Sequence, residues 1–210
     1  YEYYGSGQLK KQTDPNGNVS NFVYLPDGRI DHKTVGGNTY TYVYETGNNG
    51  KNKIKELQGP NGNSIKYTYN NLQQLIKQEE IYDNVSYITQ HAFDSYGRET
   101  KYTYPNGFAV NNFYNAKGYL TAIKDNGGTT IWQLDEMTRI DQIKKYTLGN
   151  NKTTTITYTD DRLLNEVQTP NVEEKMKYDF NVITGNLVSR NRKINSTLNF
   201  SDNFTYDNLD

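Results

Sequence analysis

The sequence predicts an all-β fold, built of tandem β-hairpin repeats of about 22 residues that form a curved, spiralling sheet. Three observations carry that prediction. Turn-forming residues gather at intervals, the runs between them alternate with period 2, and the last aromatic of each run recurs at a near-constant spacing.

Turns are the clearest signal. The 210 residues include 28 Asn and 17 Gly, which accept the left-handed backbone that tight turns need. They cluster in Asp14-Pro15-Asn16-Gly17-Asn18, Gly36-Gly37-Asn38, Gly59-Pro60-Asn61-Gly62-Asn63 and Pro105-Asn106-Gly107. Asp125-Asn126-Gly127-Gly128, Leu148-Gly149-Asn150-Asn151 and Thr169-Pro170-Asn171 continue the series.

Strands follow the turns. Asn21–Tyr24, Tyr40–Tyr44, Ile65–Tyr69 and Thr155–Tyr158 place aromatic or β-branched residues at i and i+2, one row on one face. No 3.6-residue period competes with this alternation. The last aromatic of each run marks the repeat: Tyr3, Tyr24, Tyr44, Tyr69, Phe93, Tyr114, Leu134 as a substitute, Tyr158, Tyr178 and Tyr206. Four residues later comes a second marker, Gly7, Gly28, Gly97 or Gly118, with Gln73 and Thr138 standing in. Each unit is thus strand, tight turn at the Gly, returning strand, then an Asn-Gly-rich turn. Insertions at 45–53 and 180–184 fall in loops on one face. Residues 1–210 are expected to be a single array of about nine repeats, cut from something longer at both ends. Its open sheet edges predict self-association.

The core is expected to be thin and aromatic. Leu, Ile, Val and Phe number 43 of 210, near the boundary below which chains fail to fold. A net charge of −1, with 20 Tyr, 7 Phe and 1 Trp, argues for folding nonetheless. A Tyr ring packs while its hydroxyl reaches water or a neighbouring turn. Replacing Tyr44, Tyr69 or Phe93 by Ala should then cost roughly 3–5 kcal/mol, as for large core aromatics.

Several classes are disfavoured. Lys and Arg number 23 against 24 Asp and Glu, so nothing electrostatic points to nucleic acid. No run approaches a membrane-spanning helix, and an alternating membrane barrel would need apolar residues where this chain has Thr, Lys, Asn and Gln. With a mean hydropathy of −0.95, membrane insertion is not expected. No Cys is present, which removes disulfides and thiol nucleophiles. His32 and His91 fall in different repeats without partners at catalytic or metal-ligand spacing. Asp160-Asp161 and Glu79-Glu80 suit turns and solvated strand ends. The Asp14–Asn18 turn imitates calcium-loop spacing, but Pro15 interrupts it and no closing acid follows. No enzyme activity, metal or cofactor is expected.

The signature now in view resembles the Rhs/YD repeats: Tyr-Asp, a Gly-Arg-Leu-like triplet, then a Gly-containing turn. It stands here as Phe93-Asp94-Ser95-Tyr96-Gly97-Arg98, as Tyr24 with Gly28-Arg29-Ile30, as Tyr178-Asp179 with Gly185-Asn186-Leu187, and as Tyr206-Asp207. Tyr44, Tyr69, Tyr114 with Gly118, and Tyr158 hold the same place in other copies, where the Asp becomes Leu25, Glu45, Asn70, Asn115 or Thr159. The resemblance implies a segment of a large secreted or surface bacterial protein of wall-associated or toxin type. In that family the strands spiral into a hollow shell that in toxins encloses a C-terminal effector, so this segment is expected to wall off such a cavity or to present an adhesive surface. The family's self-cleaving core is not in this chain, so self-cleavage is not assigned to it. The implied partners are neighbouring repeats and that effector. The alternative is a carbohydrate module that binds cell-wall or cell-surface glycan through exposed Tyr and Asn.

Overall fold

The computed structural model describes residues 1–169, 174–194 and 198–207. They form nineteen strands, and every strand pair described is antiparallel between neighbours in sequence. Two compact units divide the chain, Tyr1–Ala109 and Val110–Asp210.

The first unit holds β1 (Glu2–Tyr3), β2 (Leu9–Thr13), β3 (Val19–Tyr24), β4 (Ile30–Val35) and β5 (Asn38–Tyr44). It continues with β6 (Ile54–Gln58), β7 (Ser64–Tyr69), β8 (Leu75–Tyr82), β9 (Val85–Phe93) and β10 (Glu99–Thr103). The alternating runs lie inside these strands, with their aromatics in one phase. Register carries that phase across the sheet: Phe22 pairs with Lys33, Lys33 with Tyr40, Tyr42 with Leu57, Leu57 with Ile65, and Tyr67 with Gln78. Glu80 then faces Tyr87, and His91 faces Tyr102. One face is therefore largely aromatic. The other carries pairs such as Thr41 with Gln58, Glu56 with Lys66, and Thr68 with Lys77.

The second unit runs through β11 (Ala109–Tyr114), which starts at the boundary, β12 (Leu120–Asp125), β13 (Thr130–Met137), β14 (Ile143–Leu148) and β15 (Thr153–Tyr158). It ends with β16 (Leu164–Thr169), β17 (Glu174–Phe180), β18 (Leu187–Ile194) and β19 (Leu198–Asn203). Its apolar face is more aliphatic. Ile123 pairs with Trp132 and Trp132 with Leu148, while Ile156 pairs with Val167 and Val167 with Met176. Towards β19 this face becomes charged, with Met176 opposite Arg192 and Arg190 opposite Asp202.

The expected aromatic core is not what the fold builds. Ala109, Ala122 and Thr154 are the buried side chains among the described residues, while Tyr24, Tyr44, Tyr69, Phe93, Tyr114 and Tyr158 are only half-buried. The reason is geometric. Within each unit the described strands form one layer of sheet, which covers each ring from below and beside without a second layer of that unit to close over it. The accessible surface of 14212 Å² accordingly exceeds the roughly 12,000 Å² of two compact globules of half the mass.

Candidate functional site

In each unit the repeat signature converges on one row of turns: those that close β1–β2, β3–β4, β5–β6, β7–β8 and β9–β10 in the first, and β11–β12, β13–β14, β15–β16 and β17–β18 in the second. Most are the same five-residue loop. In Asp94–Arg98 the first residue's N–H donates to the fifth residue's carbonyl, and the fourth residue's N–H donates to the first residue's carbonyl, both at 3.0 Å. The pattern recurs in Tyr4–Gln8, Leu25–Arg29, Asn70–Gln74, Asn115–Tyr119, Thr138–Gln142 and Thr159–Leu163. The fourth residue has positive φ, which makes this a type I turn with a left-handed bulge. Gly28, Gly97 and Gly118 sit there at φ 90°, 79° and 90°. Gln73, Asp141 and Arg162 accept the same conformation at 66°, 65° and 67°.

The Asp of the signature satisfies the loop's own backbone. Asp94 Oδ1 accepts the amides of Tyr96 at 2.9 Å and Arg98 at 3.0 Å, and the Arg98 side chain bonds Oδ2. Burial pushes the Asp94 carboxyl up, but these donors outweigh it and hold the group below its ordinary value. The substitutes follow the same chemistry. Asn70 and Asn115 accept two amides each, whereas Thr138 and Thr159 accept one. Leu25 accepts none through its side chain, and Asp27 takes the Arg29 amide instead. A carboxylate is thus one of several solutions, which explains why the pair is degenerate.

The marker Tyr reaches back to the preceding repeat. Tyr24, Tyr44 and Tyr69 donate their hydroxyls to the carbonyls of Leu9, Ile30 and Ile54, each at 2.9 Å. Tyr158 and Tyr206 do the same to Ile143 at 2.8 Å and Leu187 at 3.0 Å. Each acceptor begins the returning strand of the hairpin before. Burial raises the ionisation of the Tyr44, Tyr69 and Tyr158 phenols above the ordinary range.

A second link comes from the fifth turn residue. The Gln8 amide donates to the Gly28 carbonyl at 3.1 Å, Gln74 to Gly97 at 2.9 Å, and Gln142 to Arg162 at 3.0 Å. Lys53 reaches the Gln73 carbonyl, and the Tyr119 hydroxyl reaches Asp141. Arg29 instead lies 4.2 Å from the Tyr44 ring centre while bonded to Asp27. The Gly-Arg-Leu-like triplet marks this position in the sequence, but not that its side chain spans the gap between turns.

Two markers fall elsewhere than the spacing suggests. Leu134 lies mid-strand opposite Tyr146, and the end of β13 is Met137, whose pairing with Ile143 after an irregular step matches that of Tyr24 with Ile30. Asp141, not Thr138, then takes the left-handed place. Near 180 the turn is held by Phe180 and Asn181: Asn181 Oδ1 accepts the amides of Ile183 and Thr184. Tyr178 bonds the Met176 sulfur, and Asp179 meets Ser189 and Lys177. Tyr-Asp-Phe-Asn offers two aromatic–Asx pairs in one phase, and Gly185 follows the second by one residue more than in the five-residue turns, closing the six-residue loop Asn181–Asn186. Tyr114 and Gly118 close their own turn, and Asp207 follows Tyr206 beyond β19.

Elsewhere, side chains that resemble catalytic or metal groups serve the fold. Asp14 accepts the amides of Asn16 and Asn18 and the Asn18 side chain, so turn bonds account for its calcium-like spacing. His91 bonds Glu99 and packs edge-on to Tyr102, and His32 bonds Asp31.

The fold is similar to that of several solved structures, a Tc holotoxin pore among them. The chain superposes on TcdB2-TccC3-TEV with a TM-score of 0.71 at 14% identity, over 91% of this chain and 11% of that one. TcdB2-TccC3 without its hypervariable C-terminal region gives 0.60 at 15% identity, over 97% and 13%. The Photorhabdus luminescens Tc holotoxin pore gives 0.55 at 15%, over 89% and 12%. The Rhs/YD resemblance therefore holds at the level of fold. This chain spans little more than a tenth of each of these three chains. No family model matches the sequence, and no curated protein matches it either.

Proposed function

We propose that this chain is a wall segment of an Rhs/YD-type shell, part of a secreted or surface protein whose C-terminal effector the shell encloses. The observation that supports this most is the turn row. Tyr hydroxyls and Gln amides tie most of the described hairpins to a neighbour, while among the described residues no group of three His, Asp or Glu side chains converges. An array tied in this way extends by neighbour contacts and separates two spaces without making or breaking a bond. Its mechanism is exclusion and containment.

Limited proteolysis with intact-mass analysis of the full-length parent tests the reading. A severed C-terminal fragment that stays bound and resists protease is the expected result. An uncut parent whose downstream region digests freely would overturn containment.

Glycan binding remains the second reading, favoured by Tyr82, Tyr87 and Tyr96, which are exposed. Replacing these three by Ala should then abolish glycan retention and leave the melting temperature unchanged. The marker Tyr are poorer candidates, because their hydroxyls already serve the preceding repeat.

A further inference from the structure

The β8–β9 hairpin overhangs the strand that follows it. β9 is 9 residues long, yet β10 pairs only with Gln90–Phe93. On the opposite side β7 accompanies β8 as far as Ile81, and Asn63 Oδ1 caps the Asp83 amide at 3.0 Å. The chain turns away at Tyr104–Phe108. Within Tyr1–Ala109, then, no strand pairs along the outer edge of Val85–Thr89.

The direction of the free groups follows from the turn. Asp83 and Asn84 have φ 49° and 64°, a two-residue hairpin turn that makes Tyr82 and Val85 its hydrogen-bonded pair. Bonding alternates from there, so Ser86 and Ile88 direct their amides and carbonyls away from β8. Proteins usually blunt such an edge with charge or Pro on the strand itself. Val85-Ser86-Tyr87-Ile88-Thr89 carries neither.

Charge lies beside the edge instead. From Gln78 to Gln90 the hairpin holds Glu79, Glu80 and Asp83 and no Lys or Arg. Glu79 is matched by Lys77 at 2.9 Å. Glu80, exposed and paired across the strands with Tyr87, holds the Gln78 amide at 2.7 Å and is in no ion pair among the described residues. Tyr82 and Tyr87 flank it and are exposed. Such a hairpin repels a second copy of itself and attracts a cation, which Tyr87 can also hold over its ring face.

We propose that Val85–Thr89 is an acceptor edge for an extended basic segment of another polypeptide, added as a strand beside β9. Main-chain bonds to Ser86 and Ile88 would hold it, and a Lys or Arg lying over Tyr87 towards Glu80 would select it. This goes beyond the wall reading and stands independently of it.

Amide hydrogen exchange of the full chain, followed by NMR, tests the proposal with a capped peptide of alternating Lys and Val. The expected result is slowing at Ser86 and Ile88 by on the order of tenfold or more at saturation, with the rest of the sheet unaffected. A peptide N-methylated at alternate amides keeps its charge but cannot extend the ladder, and should leave exchange unchanged. Glu80→Lys should weaken binding on the order of tenfold, while Glu80→Gln should weaken it less. Unchanged exchange with the Lys peptide would overturn the proposal. So would equal slowing by the N-methylated peptide, or equal binding of a Glu-for-Lys peptide. Protection that rises with protein concentration alone would assign the edge to a second copy and also overturn it.

Discussion

The two rows of turns at opposite ends of the strands use the same loop and do different work. Asp14–Asn18 and Asp125–Thr129, on the far row, repeat the bond pattern of Asp94–Arg98, including an Asp that accepts two amides. Among the described residues, most links from one repeat to the next lie on the signature row. On the far row such links are occasional, as in Asn63 with Asp83; the buried Thr154 hydroxyl, 2.7 Å from that of Thr169, joins the two strands of a single hairpin. Turn chemistry therefore makes hairpins, and side-chain reach makes an array. Both insertions, at 45–53 and 180–184, sit on the signature row, where local bonds rebuild the closure: the Glu45 carboxylate accepts the amides of Thr46 and Gly47.

The largest expected difference between the rows is at glycine. Gly50, on the signature row at φ 79°, has the Tyr69 ring where its Cβ would be. Gly107, on the far row at φ 82°, has open space there. Gly50→Ala combines overlap with a strained backbone and should cost about 3 kcal/mol. Gly107→Ala meets backbone strain alone and should cost about 1 kcal/mol. Chemical denaturation of both variants checks the pair, and equal losses would dissolve the distinction. Gly149 is the far row's exception, since its Cβ would overlap the Thr130 carbonyl, and Gly7 and Gly185 are exceptions on the signature row, with open space there.

Next in size are the Tyr links. Tyr44→Phe or Tyr69→Phe removes one bond to a carbonyl and should cost about 1 kcal/mol. With the rings only half-buried, Tyr→Ala at these positions should cost about 2–3 kcal/mol, less than a closed core would give. Phe93 lacks the hydroxyl, so Phe93→Tyr should add a bond to the first carbonyl of β8 and raise the denaturation midpoint. The phenols also set an alkaline limit. Their folded ionisation lies above the unfolded value, so their contribution is full below the ordinary value of 10.0 and is lost as pH rises through the higher folded one. Tyrosinate absorbance and circular dichroism should change together in that window.

At the acid end the two rows should behave alike. Asp14 is held below its ordinary value of 3.8 chiefly by the Asn18 side chain, and Asp125 chiefly by the Thr129 amide. Asp94 is lowered too, despite its burial. Depressed carboxylates contribute above the unfolded value and lose that contribution as pH falls through the folded one. Stability should hold down to about pH 4 and decline below it. Asp94→Asn keeps an acceptor for both amides and should flatten part of that decline, whereas Asp94→Ala should lower stability at neutral pH as well.

Much of this was legible in the sequence because turn chemistry and alternation are local. Asp14-Pro15-Asn16-Gly17 or Tyr67-Thr68-Tyr69 states its conformation without reference to any other part of the chain. What was not legible depends on neighbours. The choice of Met137 over Leu134 rests on irregular pairing in β13, which no aromatic count reveals. At Tyr178-Asp179-Phe180-Asn181 the periodicity fits two frames, and the turn takes the later one. The half-buried rings follow from how many layers the fold has, a property that composition does not encode. The overhang of β9 is a difference between two strand lengths, visible only once β10 is seen to stop at Thr103.

The smallest effect is the most specific test of the array. Gln74→Ala breaks a single bond, to the half-buried Gly97 carbonyl of a turn, so the global loss should be only about 0.5 kcal/mol. Its local consequence should be larger. In a row of hairpins held by neighbour contacts, cutting one link loosens the coupling between the two repeats it joins. Exchange of amides in the Asp94–Arg98 turn should therefore quicken while amides in β3 and β4 keep their protection. The matched change on the far row, Asn63→Ala, should quicken Asp83 alone. If both variants loosen only their own turn, the Gln row is incidental, and cohesion rests on the strand ladders and the Tyr links.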